Sequence, residues 1–107
     1  MNLNEINLSD STIETMRVES DSIIINIEDW QAIQHTLTFN DVVGLQCFSP
    51  EGQEISHGLS NNQDSFISIA CEAAQEDDAQ AFQCYRLISP WTEKSILTVV
   101  ARSFTFQ

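Results

Sequence analysis

The chain has 107 residues, and 16 carboxylates against four Lys and Arg give it a formal charge of −12 with neutral histidine. Hydrophobic residues make up 42% of it, including six Phe, two Trp and one Tyr; that fills one core, so the charge does not imply disorder and the length implies a single domain, 1–107. Affinity for phosphates needs many basic side chains and only Arg17, Arg86, Lys94 and Arg102 are present, which argues against nucleic acid and an anionic membrane surface, and no apolar run approaches the roughly 18–20 residues of a spanning helix.

Met1-Asn2-Leu3-Asn4-Glu5-Ile6 lacks the basic start and apolar stretch of a signal peptide, which points to a cytoplasmic protein with residues 1–10 loosely ordered. Ser11-Thr12-Ile13-Glu14 has the form of a helix capping box and leaves a single helical turn near residues 11–16 open. The stronger signal is β. Thr15–Glu19 alternates, Ser20-Asp21 breaks the pattern and Ile23–Ile27 resumes it. A hairpin loop over Ser20 and Asp21 sets Val18 opposite Ile23 and Met16 opposite Ile25, which places all four apolar side chains on one face.

Around Asn40-Asp41-Val42 a three-residue hairpin loop sets Phe39 opposite Val43, Leu37 opposite Leu45 and His35 opposite Cys47. Further strands are expected at Glu54–Leu59, Ser65–Ala73, Phe82–Ile88 and Ile96–Phe106. Turns separate them at Ser49–Gly52, Asn61–Asp64, Glu76–Asp78 and Ser89–Thr92. Ile96–Ala101 is apolar on both faces and belongs in the middle of a sheet. Helix formers between Ala70 and Phe82 leave a short helix open against a charged loop. The expected fold is all-β, with one short helix at most. It is an antiparallel sandwich or strongly curved sheet of seven to eight strands.

Enzyme signatures are sparse. There is no Gly-rich phosphate loop, no Gly-x-Ser-x-Gly and no His-Glu-x-x-His, so no cofactor is implied. His35 beside Cys47 is the minimum for an activated thiol, but nothing in the sequence orients the imidazole, and two packing residues are the plainer reading. Cys47, Cys71 and Cys84 are odd in number and irregularly spaced, as reduced core thiols are; a hairpin could bring Cys71 to Cys84, but its register is ambiguous and core thiols are the plainer reading. Glu76-Asp77-Asp78 does not match a calcium loop, and no metal site is expected. The surplus of acids serves either solubility or recognition of a cationic partner. Of the two Trp residues, Trp91 in its Pro-containing turn is expected to be exposed, and Trp30 after Glu28-Asp29 is expected in the core.

With Asp29-Trp30, the stretch Leu37–Val43 and the run Ile96–Ala101 in a short acidic β-rich chain, the sequence resembles the small immunity proteins of bacterial polymorphic-toxin systems, including contact-dependent growth inhibition. The likeness spans most of the chain. It carries no catalytic motif, so no family residue is transferred position by position. The resemblance implies a tight complex with a cationic toxin domain, often a nuclease, whose cleft is occluded. The acids and rings that fit such a contact are Glu72, Glu76, Asp77, Asp78 and Trp91, with Glu28 and Asp29 as a second patch. The alternative is a non-enzymatic β-domain that binds a ligand or forms a structural homo-oligomer.

Overall fold

The computed structural model describes residues 2–107. Its strands are β1 (Ser11–Val18), β2 (Ser22–Glu28), β3 (Gln34–Asn40), β4 (Gly44–Cys47), β5 (Glu54–Ile55), β6 (His57–Asn61), β7 (Gln83–Ile88), β8 (Ser95–Ala101) and β9 (Ser103–Phe106). One α-helix, α1 (Ser65–Ala73), and two 3-10 turns, Leu3–Glu5 and Ala79–Ala81, complete it. The protein is thus mostly β, built from two antiparallel sheets in the orders β5-β1-β2-β3-β9 and β4-β8-β7-β6. No helix among the described residues is long and apolar enough to cross a membrane.

The β1–β2 hairpin has the register its alternation demands, with Val18 opposite Ile23 and Met16 opposite Ile25, and the Glu19 amide donates to the Ser22 carbonyl. Ser11–Glu14 is strand and not a helical turn; Ser11 is buried, and the Ile13 amide is taken by the Gln53 carbonyl. A bulge between Ile13 and Thr15 follows.

Two further expectations are overturned. The segment 41–43 is a corner, not a hairpin loop: β3 pairs with β2 and β9 in one sheet, whereas β4 pairs with β8 in the other. Phe39 lies opposite Phe104, Leu45 opposite Val99 and Cys47 opposite Leu97. Ser65–Ala73 is helical because Asp64 caps its first turn, accepting from the Phe66 amide at 2.9 Å, and because Ile67, Ala70 and Cys71 fall on one helical face. Ile67 and Ile69 supply the β-branched signal, yet Ile69 points to solvent.

The stretches Glu54–Leu59 and Ile96–Phe106 are each split by a bend, at Ser56 and Arg102, so one half lies in each sheet. Tracing the pairings through these bends gives six ribbons in a closed circuit: β1, β2, β3–β4, β9–β8, β7, β6–β5 and back to β1. Inside it lies the main core, including Ile13, Ile25, Leu37, Phe39, Ile55, Leu87 and Val99, all with essentially no exposure. Each such side chain contributes about 1.5–3 kcal/mol of burial. A second cluster of Ile67, Ala70, Cys71, Phe82, Cys84 and Val100 seals α1 onto the outside of the β4-β8-β7-β6 sheet. Strand β8 is therefore covered on both faces, as its sequence requires.

Gly44 marks where the helix docks, since a β-carbon there would lie 2.6 Å from that of Ala70. The N-terminal segment, for which the sequence suggests loose order, packs Leu3 and Leu8 into the main core over Gly58, and the Leu3 amide donates to Ser60 Oγ at 2.7 Å.

Helix α1 ends in a Schellman motif: the Glu76 amide reaches the Cys71 carbonyl at 2.8 Å and the Gln75 amide reaches the Glu72 carbonyl. Gln75 holds φ at +59° there, a conformation that favours glycine. The substitution Gln75→Gly is expected to raise stability by about 1 kcal/mol, read as a higher midpoint in urea at unchanged slope.

Candidate functional site

The acids singled out in the sequence occupy two different environments. Asp29 opens the β2–β3 loop and spends its carboxylate there: Oδ1 accepts from the amides of Gln31 and Ile33 at 2.8 and 2.9 Å, and Oδ2 lies 2.8 Å from His35 Nε2. The His35 hydrogen bond, followed by the loop amides, holds the Asp29 carboxyl below the usual carboxylate range. Glu28 accepts from Gln34 Nε2 at 3.0 Å. These two side chains therefore brace the loop. What the loop presents is Trp30, 65% exposed and not in the core as expected, together with Ile33. A short-range Asx turn explains the exposure, because tightening the chain around the Asp29 carboxylate turns the next residue outward.

Glu72, Glu76, Asp77 and Asp78 lie together at the C-terminal end of α1, and all four are exposed. Their placement is electrostatically unfavourable. The helix carries no basic residue in its last turn, and its final carbonyls add a partial negative charge to the side chains' own. Across the described residues only Glu19 and Asp64 of the sixteen carboxylates pair with a basic side chain, Arg17 and Arg86 respectively, while Asp29 shares a hydrogen bond with the His35 ring. Arg102 lies 4.8 Å over the Phe82 ring.

Trp91 tips the β7–β8 turn at 76% exposure, where buried Ser89 accepts from the Trp91 and Thr92 amides through its Oγ. Strand β7 separates that turn from the acids at its other end by roughly 20 Å at the rise of an extended chain. The expected contact residues thus fall in three places: the β2–β3 loop, the α1 terminus and the β7–β8 turn.

His35 pairs with Ile27 across β2–β3 and stacks on Phe106 at 4.9 Å between centroids, while Cys47 lies in the other sheet, so the imidazole and thiol are not neighbours across a ladder. Cys71 and Cys84 share the second core cluster without a hairpin between them. Burial pushes the Cys84 thiol up to about 11; it raises Cys71 as well, helped by the charges of Glu76 and Asp78. Among the described residues no group of three or more His, Cys, Asp or Glu is arranged to hold a metal ion.

The polar group with the most side-chain hydrogen bonds ties elements of the fold together. Arg86 donates to Asp64 Oδ2 from Nε and Nη2 at 3.1 and 2.9 Å and to Ser95 Oγ and Thr98 Oγ1 from Nη1. Burial alone would raise the Asp64 carboxyl, but the Phe66 amide and the Arg86 guanidinium outweigh it and hold it low. Comparison of the chain with protein-family models, with curated proteins and with solved structures found no match.

Two measurements check this description. Iodoacetamide at neutral pH is expected to alkylate Cys47 in the folded protein, and Cys71 and Cys84 only after unfolding, with mass spectrometry reporting the sites. Asp64→Ala is expected to cost about 3 kcal/mol, because it leaves Arg86 unpaired and α1 uncapped. The Asp64 contribution is full above the unfolded carboxylate pKa, about 3.9, and is lost as pH falls through the lower folded value. The variant should therefore show a smaller loss of stability than the parent across that acid range.

Proposed function

We propose that the protein is an inhibitor of the immunity type, which binds a cationic toxin domain in the bacterial cytoplasm and occludes its substrate cleft. The observation that carries this reading is the set of carboxylates that the fold leaves without cations, above all Glu72, Glu76, Asp77 and Asp78 on the end of a docked helix. A protein gains nothing internally by concentrating like charge at the negative end of a helix. A basic partner removes that repulsion on binding. A nuclease is the class that fits best, because its cleft must be positive to hold phosphates and is therefore complementary to such a surface.

In this mechanism the acids steer the encounter and fix orientation. The exposed rings of Trp91 and Trp30 supply apolar area, since desolvated charge pairs contribute little net affinity. Asp29 stands outside the contact set on this account; it acts by holding the Trp30 loop.

The test uses the protein as bait in a lysate of the source organism at low salt, followed by purification of the partner's basic domain and measurement of association by stopped flow. The expected partner is an exported protein with a basic toxin domain. Its association rate should fall about tenfold or more between roughly 50 and 200 mM salt. The fourfold variant Glu72→Gln, Glu76→Gln, Asp77→Asn, Asp78→Asn should lower the rate at low salt and flatten the dependence. Recovery of the protein alone, or a rate indifferent to salt, overturns the reading.

A further inference from the structure

The closed circuit of ribbons has a slit between β1 and β4. Beyond Ile13, strand β1 has a ladder partner only on its β2 side, and β4 has one only on its β8 side. Hydrogen-bond parity shows which backbone groups face away from those ladders. On β1 the Glu19 amide bonds to Ser22, so Val18 and Met16 turn their amides and carbonyls outward. On β4 the Phe48 amide bonds to Ile96, so Leu45 and Cys47 do the same.

The two free edges flank one seam. A depression of about 230 Å³ is lined by Val18–Ile23 on one side and Val42–Leu45 on the other. A second, of about 320 Å³, is lined by Met16 and Ser49–Glu51. The seam is closed at one end by the Val42 amide donating to the Asp21 carbonyl, and near the other by the Met16 amide donating to Glu51 Oε2 at 3.0 Å. Along it the main core is incompletely covered: Met16, Val42, Leu45 and Cys47 pack on the core yet stay partly exposed, and Val18 is 57% exposed.

The charges around the seam select its occupant. Glu19 and Asp21 line it, Asp41 adjoins Val42, and Glu51 stands at the far end; Arg17, the nearby base, is already bonded to Glu19 at 2.9 Å. Of the other edge strands, β9 has no carboxylate between Ser103 and Gln107 and β6 has none between His57 and Asn61. We infer that the β1–β4 seam receives an extended basic segment of the cationic partner as an added strand, which pairs with the free backbone groups of Leu45 and Cys47 and covers the exposed lip of the core. Main-chain bonds would supply affinity, and apolar residues alternating with Lys or Arg would supply the fit. This inference rests on the inhibitor reading and adds a strand-pairing site to its contact surface.

The probe is a synthetic β-hairpin peptide with Val and Lys in alternation, compared with the same peptide carrying Glu for Lys. Amide hydrogen exchange of the full chain, read by NMR, should slow at least about tenfold at Leu45 and Cys47 with the Lys peptide. The Glu peptide should leave both unchanged. Cys47→Pro removes an amide that the fold does not use, so the variant should fold and lose the protection at Leu45. Should that variant not fold, a peptide N-methylated on its pairing edge serves instead and should give no protection. No slowing with the Lys peptide, equal slowing with both peptides, or slowing at Phe104 and Phe106 on β9 overturns the inference. The partner's purified basic domain separates the two readings. If it binds the parent chain and Cys47→Pro equally, the seam is wrong and the inhibitor reading stands. If no basic domain binds the parent chain, both fail.

Discussion

The rest of the structure depends on two long ribbons turning one corner together. Ribbon β3–β4 runs from Gln34 to Cys47 and ribbon β8–β9 from Ser95 to Phe106, and they stay paired from Leu37 opposite Phe106 to Cys47 opposite Leu97. At the bend the Val43 amide donates to the Val100 carbonyl and the Arg102 amide to the Asn40 carbonyl, so the ladder crosses from one sheet to the other without losing its bonds. An isolated bend would expose backbone groups to a core that cannot satisfy them. Because the partners bend at the same place, that cost is avoided, and the sheets can enclose a single interior.

That enclosure decides which parts of the fold could be read from the sequence. The β1–β2 hairpin was legible because alternation and a two-residue break near Ser20-Asp21 permit one register only. The central place of Ile96–Ala101 was legible because no surface strand needs apolar residues on both faces. The segment after Phe39 was not. Its alternation is satisfied equally by a hairpin and by a corner, since in either case Leu37, Phe39 and Leu45 face the same interior, and only the distant β8–β9 partner distinguishes them. Ser65–Ala73 was not legible for another reason: β-branched Ile67 and Ile69 resemble a strand, whereas the Asp64 cap and a docking face over Val100 decide for a helix in three dimensions.

The candidate surface was legible in part. Exposure of Trp91 and of the four acids after Cys71 follows from their place in turns and at a helix end. The role of Asp29 was hidden, because a carboxylate followed at two and four residues by the amides it binds looks in sequence like any other acid. The seam between β1 and β4 was hidden more deeply. No residue type marks an unpaired edge, and the slit arises only from how the six ribbons meet. With Arg86 committed to the helix cap, Arg17 to Glu19 and Arg102 to Phe82, the scarcity of cations on the surface is greater than their number implies.

Ribbon β8–β9 also governs how the molecule assembles. It follows every other strand in chain order, yet it alone joins β4 to β7 and adds the outer strand to β3. Until it is in place β4 has no ladder partner, and the helix lacks part of the floor on which it docks. The loop closures that bring residues 95–106 back onto residues 37–47 are long, and contacts of that kind carry the entropic cost that slows folding, so much of what this topology costs kinetically falls on its last ribbon.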